Sequence, residues 1–422
     1  MNKIKEVVID ISRLYESNEI YKLDSRLSKI EIYYEKLNND SRKNLIKNIV
    51  DYLHKNKVLE VANHNLNHCK KTQFIKELLS RIEFFIETKA EKVYTKHLSI
   101  LKELSVTSKV MLIKGMAISQ YYPKSYIRNQ GDIDILVSST SDIWNALELL
   151  KDDYYYEKLK LHFLHNDKFT ATIDLLPYNS TNPYIDVHLT PYYMWGAVAY
   201  YDDIWDNAKS NNNFYYPNAE NLILMLCAHI SNQWMYRMRD INDLYCIIKN
   251  NTIDWEFIKI KAKTIGLYYI LRILLNDLLD IYSLEIDYKI IQSLMPFNEL
   301  TFKERMFKRF NFGKESGLGS ILLEFNFVYC NYKKYFSFFK TIKFSLKNTY
   351  YMITTHNRAF NINDKLKKKK ENEVYVLKRT QKKLEEKSRI KLTSDLIICN
   401  ENSKNEFFKS NYGNWYQVPY KS

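Results

Sequence analysis

The stretch VMLIKGMAISQYYPKSYIRNQGDIDILV, running from Val110 to Val137, decides how this chain is read. Its last seven residues, Gly-Asp-Ile-Asp-Ile-Leu-Val, alternate polar and apolar positions and predict a half-buried strand. With a period of two, Asp132 and Asp134 share one face while Ile133 and Ile135 point into the core. Two carboxylates so close repel each other unless a cation sits between them. Hard oxygen ligands of this kind suit Mg²⁺, which makes the pair candidate catalytic and metal-binding residues. Upstream, Val110–Ile113 predicts a short buried strand, Lys114-Gly115 a turn, and Met116–Tyr122 a helix stopped by Pro123. A strand running through a glycine turn into a helix can present backbone N–H groups to a phosphate. Lys114 and Arg128 add positive charge nearby in sequence. The bare Asp-x-Asp pattern also fits a structural hairpin with an acidic edge.

The order of these elements resembles the DNA polymerase β-like nucleotidyltransferase superfamily, in which a strand ends in Gly-Ser, a helix follows, and the next strand carries Asp-x-Asp. More closely, Leu112-Ile113-Lys114-Gly115, Tyr122-Pro123, Arg128 and Gly131 to Val137 are similar to the uncharacterised nucleotidyltransferase family of bacteria. One departure from the superfamily is Met116, which stands where a serine hydroxyl would hold the triphosphate. Lys114 and backbone amides would have to serve instead. The resemblance implies Mg²⁺-dependent, in-line transfer of an NMP group from an NTP to an acceptor hydroxyl.

A third carboxylate normally joins such a pair from a later strand. Thr170–Leu176 and Tyr184–Leu189 both alternate well. The close family has an acidic residue two positions before a histidine, which matches Asp186 and His188. Asp186 is therefore the expected third catalytic and metal-binding residue, with Asp174 as the fallback. Beyond residue 216 the chain returns to helix. A histidine on a helix, a basic-aromatic stretch, Asp243-Leu244 and Asp254-Trp255 are similar to the same family's helical half. By resemblance His229, Arg239 and Asp243 face the cleft. Physically, Arg237 or Arg239 suits a triphosphate because guanidinium matches phosphate geometry. A surface Arg–Asp network is the alternative. The resemblance covers residues 105–270.

Length and composition fit this outline. The 422 residues leave room for two or three domains. Five of the seven prolines fall between residues 123 and 217, marking the strand-rich part. The expected architecture is α+β, with a small mixed sheet between helical blocks. Residues 1–105 form an N-terminal helical region, exemplified by Phe74–His97. Residues 106–215 form the nucleotidyltransferase core, 216–300 a helical domain completing the cleft, and 301–422 a basic C-terminal region. Five scattered cysteines without Cys-x-x-Cys spacing suggest a reduced, cytoplasmic protein. No signal peptide or bilayer-length apolar run is evident. His64, His68 and Cys69 read as a polar helix face, and Gly313–Gly319 as a flexible connection.

Residues 331–422 hold 21 Lys and Arg against 8 Asp and Glu, which is +13 of the chain's net +14. Such a segment, with the four-lysine run Lys367–Lys370, suits a polyanionic partner such as RNA. It equally suits an anionic membrane surface or a solvated tail. The end of the chain, Asn411–Tyr420, is aromatic enough to dock. The acceptor stays open among a small molecule, a glycan, a peptide and RNA. Two other functions are expected alternatives: a degenerate, non-catalytic nucleotide-binding or regulatory protein, and a toxin-like enzyme modifying tRNA.

Overall fold

The computed structural model describes residues 2–282 apart from short stretches, of which 87–98 and 164–168 are the longest, and scattered positions between 325 and 346. Lys367–Lys370, Asn411–Tyr420, Gly313–Gly319 and the part of Phe74–His97 beyond Ile86 lie outside the described residues.

The helices are α1 (Asn2–Ser12), α2 (Lys22–Glu35), α3 (Asn39–Lys55), α4 (Leu59–Asn67), α5 (Gln73–Ile86), α6 (Lys114–Ser119), α7 (Asp203–Asp206), α8 (Ala219–Gln233), α9 (Met238–Lys249), α10 (Trp255–Ile265) and α11 (Tyr268–Tyr282). The strands are β1 (Val110–Leu112), β2 (Asp132–Val137), β3 (Tyr154–Phe163), β4 (Phe169–Pro177), β5 (Tyr184–His188), β6 (Tyr192–Met194), β7 (Ala197–Ala199), β8 (Lys209–Asn211) and β9 (Phe214–Tyr216).

The sequence explains the element ends. α3 starts where the Asn38 side chain accepts the Ser41 N–H at 2.9 Å, and it buries Leu45, Ile46, Ile49, Val50 and Leu53 at helical spacing. α10 starts where Asp254 accepts the Phe257 N–H at 2.9 Å, and it stops at Gly266 with φ 83°. The Asp254-Trp255 pair is thus a helix cap and its first residue.

Among the described residues the main sheet has seven strands in the order β3-β4-β5-β2-β1-β9-β8. It is mixed, as expected: β2 runs parallel to β5 and β1 parallel to β9, while the other neighbours are antiparallel. β2 lies in the middle, with Ile133 to Val137 buried and Asp132 exposed at its start. One apolar core runs from α1–α5 through β1 and α6 to α8–α11. Buried polar ties fix the N-terminal helices to the rest. Tyr126 Oη donates to Asn65 Oδ1 at 2.7 Å, Asn242 Nδ2 to the Ser12 carbonyl at 2.8 Å, and the Leu14 N–H to Tyr282 Oη at 2.8 Å. No helix among the described residues is long and apolar enough to cross a membrane.

Candidate active site

β1 ends at Leu112, Ile113 stays extended, and Lys114 turns the chain at φ 49° straight into α6. The helix therefore begins two residues before the expected Met116. Lys114, rather than the glycine, takes the left-handed conformation. Gly115 is small for another reason: a Cβ there would lie 2.7 Å from Arg128 Nη1. Met116 is buried in α6.

The sheet register builds the acidic wall. The parallel β2–β5 pairing sets Asp134 beside Asp186, and the antiparallel β4–β5 pairing sets Asp186 beside Asp174. Directly paired residues project from the same face. The two contenders for the third carboxylate therefore stand side by side, in one row with Asp134. Asp132 is two residues away on the same face of β2, and His188 two residues from Asp186 on β5. Ligand atoms of Asp134, Asp186 and His188 all lie within 4.8 Å of one another, so this group can hold a metal ion. Clustered carboxylate oxygens with one imidazole form a donor set that a divalent cation fits.

Asp134 is buried, and its Oδ1 accepts from Lys114 Nζ and lies 3.1 Å from His188 Nε2. Lys114 Nζ is itself 3.3 Å from that nitrogen. Burial alone would raise the Asp134 carboxyl, but Lys114 and His188 hold it well below the usual carboxylate range. Asp186 goes the other way. Burial, then the charges of Asp134 and Asp174, push it well above that range. Asp132 is raised chiefly by the charge of Asp134. Burial, then Lys114, brings His188 down to about 4, so its imidazole is neutral near pH 7 and has a lone pair to offer. Thr172 Oγ1, 3.4 Å from Nδ1, can orient the ring from its far side.

Cations gather in the pocket that Asp132 and Asp134 line. The pocket is lined by Lys57, Lys114, Gly115, Arg128, Asp132, Asp134, His229, Arg239 and Asp243, among others. The structure thus gathers the sequence candidates of the core with those of the helical block. Arg128 grips Asp243 with two bonds, Nε to Oδ1 at 2.8 Å and Nη2 to Oδ2 at 2.7 Å. Tyr122 Oη donates to the same carboxylate at 2.8 Å. This one cluster joins Tyr122 and Arg128 to Asp243, which lies far along the chain from both. It also commits most of the Arg128 guanidinium to a protein partner. Arg239 is 12% exposed in its side chain, with Nη2 3.7 Å from Asp240 Oδ1. Its Nε is buried without a hydrogen-bond partner among the described residues. His229, half-buried on α8, is held well below its ordinary value by burial and then by Lys114.

Lys57 is the residue that sequence reasoning missed. It follows the end of α3, far from any motif, and nothing in the local pattern distinguishes it from the other lysines of these helices. Desolvation in the pocket, with the guanidinium groups of Arg239 and Arg237, brings it down to about 8.

None of the curated proteins matches the chain. Among solved structures it is similar to the JHP933 protein of Helicobacter pylori, at 11% identity over 65% of this chain and 100% of that one, with a TM-score of 0.26. It is also similar to the polyadenylate synthase of Megavirus, at 10% identity over 69% of this chain and 77% of that one, with a TM-score of 0.28. The model of one protein family matches residues 43–276, a wider span than the 105–270 carried by the motifs. It takes in α3 with the Lys57 that follows it, the β2 aspartates and α8 to α10, and so covers the residues that line the pocket. With more than half of its length matched, the chain belongs to the uncharacterised nucleotidyltransferase family.

Proposed function

We propose that this nucleotidyltransferase moves an NMP group from an NTP to an acceptor hydroxyl, with Mg²⁺ held by Asp132, Asp134 and Asp186. The observation that carries this reading is the carboxylate row that pairs Asp134 of β2 with Asp186 of β5, with Asp132 and Asp134 lining one pocket together with Lys57, Lys114, Arg128 and Arg239. A divalent ion held by those carboxylates would neutralise charge building up on the phosphate oxygens. Lys114, Gly115, Arg128 and Arg239 form the nucleotide side, with Arg128 acting mainly through Asp243, which it fixes. His188, His229 and Asp243 complete the cleft.

In the reaction, the acceptor oxygen forms a bond to the α-phosphorus. The bond from that phosphorus to the pyrophosphate oxygen breaks, and its electron pair leaves with pyrophosphate. The hydroxyl proton passes to Asp186, the carboxylate that β5 adds to the row. This reading assigns residues 1–105 to an N-terminal helical region, 106–215 to the nucleotidyltransferase core, 216–300 to the part completing the cleft, and 301–422 to a basic C-terminal region. Cytoplasmic work on a small-molecule, glycan, peptide or RNA acceptor fits this reading, with residues 331–422 as the contact for a polyanion.

The test uses full-length protein, Mg²⁺, each of the four NTPs labelled at the α-phosphate, and a cell extract as the source of acceptors. Label transferred by wild type and not by an Asp132→Ala/Asp134→Ala variant supports the reading, and the size of the labelled product gives the acceptor class. Failure of all four NTPs to bind would sink it in favour of a non-catalytic role.

A further inference from the structure

Among the described residues, two other than glycine have positive φ: Lys57 at 56° and Lys114 at 49°. Both are lysines, and both line the same pocket. α3 ends in a Schellman turn, with the Lys57 N–H on the His54 carbonyl at 3.0 Å and the Val58 N–H on the Leu53 carbonyl at 3.2 Å. Lys57 occupies the position that such turns usually give to glycine, which has no Cβ to clash. The same chain uses glycine to end α10, at Gly266 with φ 83°. A side chain kept where glycine would relax the backbone points to a use for that side chain.

The surroundings indicate the use. Asn56 is fully buried; its Oδ1 accepts the Met238 N–H at 3.0 Å, and its carbonyl accepts the Arg239 N–H at 3.4 Å. These bonds consume the first amides of α9, so the helix end offers no anion site of its own. They also hold Lys57 against the turn that carries Arg239. Lys114 is committed to Asp134 and Arg128 to Asp243. Lys57 has no ion pair among the described residues, and Arg239 has only the 3.7 Å approach to Asp240. These two cations line the pocket together with Asp132 and Asp134, and the charge of each acts on Asp132.

Building on the nucleotidyl-transfer reading, we propose that Lys57 and Arg239 bind the β- and γ-phosphates of the nucleoside triphosphate, so that the N-terminal helices supply half of the leaving-group site. The triphosphate then lies between the carboxylate wall, which handles the α-phosphate, and a basic wall, which handles the outer two. A strained lysine is retained because a glycine would relax the turn and remove the charge.

The test measures binding of the four NTPs and of inorganic tripolyphosphate, with Mg²⁺, to full-length wild type, Lys57→Gly, Lys57→Arg and the surface control Lys55→Ala, with the Tm of each. Lys57→Gly should keep or raise Tm and weaken both the bound NTP and tripolyphosphate by about tenfold or more. Lys57→Arg should retain most of the affinity, and Lys55→Ala should match wild type. Equal affinity in Lys57→Gly and wild type overturns this inference and leaves nucleotidyl transfer standing. A loss of Tm and affinity shared by Lys57→Gly and Lys57→Arg marks the position as structural and overturns it too. A folded wild type that binds neither probe overturns the inference and the transfer reading together.

Discussion

Asp243 and Asp134 are both buried carboxylates beside a cation in the same pocket, yet their neighbourhoods differ in kind. Around Asp243 the charges close on themselves: Arg128 forks onto both oxygens, Tyr122 adds a third bond, and the pair is 5% and 1% exposed. Around Asp134 the Lys114 partner is 19% exposed, and His188 competes for the same oxygen. Asp186 stands next in the row. Within that row the environment drives Asp134 down and Asp186 up. Groups pushed apart in this way belong to acid–base chemistry, whereas a matched fork belongs to structure. Charge and burial alone do not separate a site from a brace; the completeness of the partner set does.

Asp134→Ala should have the largest effect. It should lower label transfer by about 10⁴-fold, or about 5.5 kcal/mol of barrier, while far-UV circular dichroism stays unchanged. Arg128→Ala should do the reverse and act first on stability. By leaving Asp243 buried and unpaired, it should cost about 3–5 kcal/mol in urea unfolding, and Arg128→Met with Asp243→Leu should recover much of that. If Arg128→Ala unfolded at the wild-type midpoint and lost only NTP binding, Arg128 would move from the brace to the site.

Gly115→Ala tests how rigid the brace is. The new methyl would meet Arg128 Nη1 at 2.7 Å, and a guanidinium locked on Asp243 has little room to yield. A loss of about 1–3 kcal/mol is expected, and no loss would mean that the fork can slide. The smallest effect is on the open side. Asp186→Asn removes one charge from the row, so in EDTA it should raise Tm by about 2–4 °C. It should also abolish any rise in Tm that a divalent ion gives wild type, because a ligand is gone. A lower Tm in EDTA would show that the row is already neutralised.

Much of this was legible in the sequence, and the limits have physical causes. Alternation marked Asp132 to Val137 because a strand's period is local, and the β2 bounds match it. Periodicity alone left Asp174 and Asp186 open, since both segments alternate; the resemblance around His188 chose Asp186, and only the pairing register shows that the two stand side by side. Arg128 was read as a phosphate ligand because its charge is visible in sequence and its partner is not; Asp243 lies on a helix far along the chain. The helix start at Lys114 was missed because positive φ is ordinarily the mark of glycine, and the glycine next to it drew the turn. Lys57 left no signal, since its place depends on Asn56 reaching the start of α9.

The strand order also bears on synthesis. Asp132 and Asp134 come from β2, but the strand beside it on the acidic side, β5, follows the long β3–β4 hairpin, and β1 gains its parallel neighbour only with β9. A nascent chain that has released residues up to β4 carries Asp132, Asp134 and Asp174 but lacks Asp186, which joins the row only with β5. Parallel pairings between segments distant in sequence form late. The ability to capture a divalent ion therefore appears only once the sheet has closed, and ion uptake by translation intermediates of increasing length would time that closure.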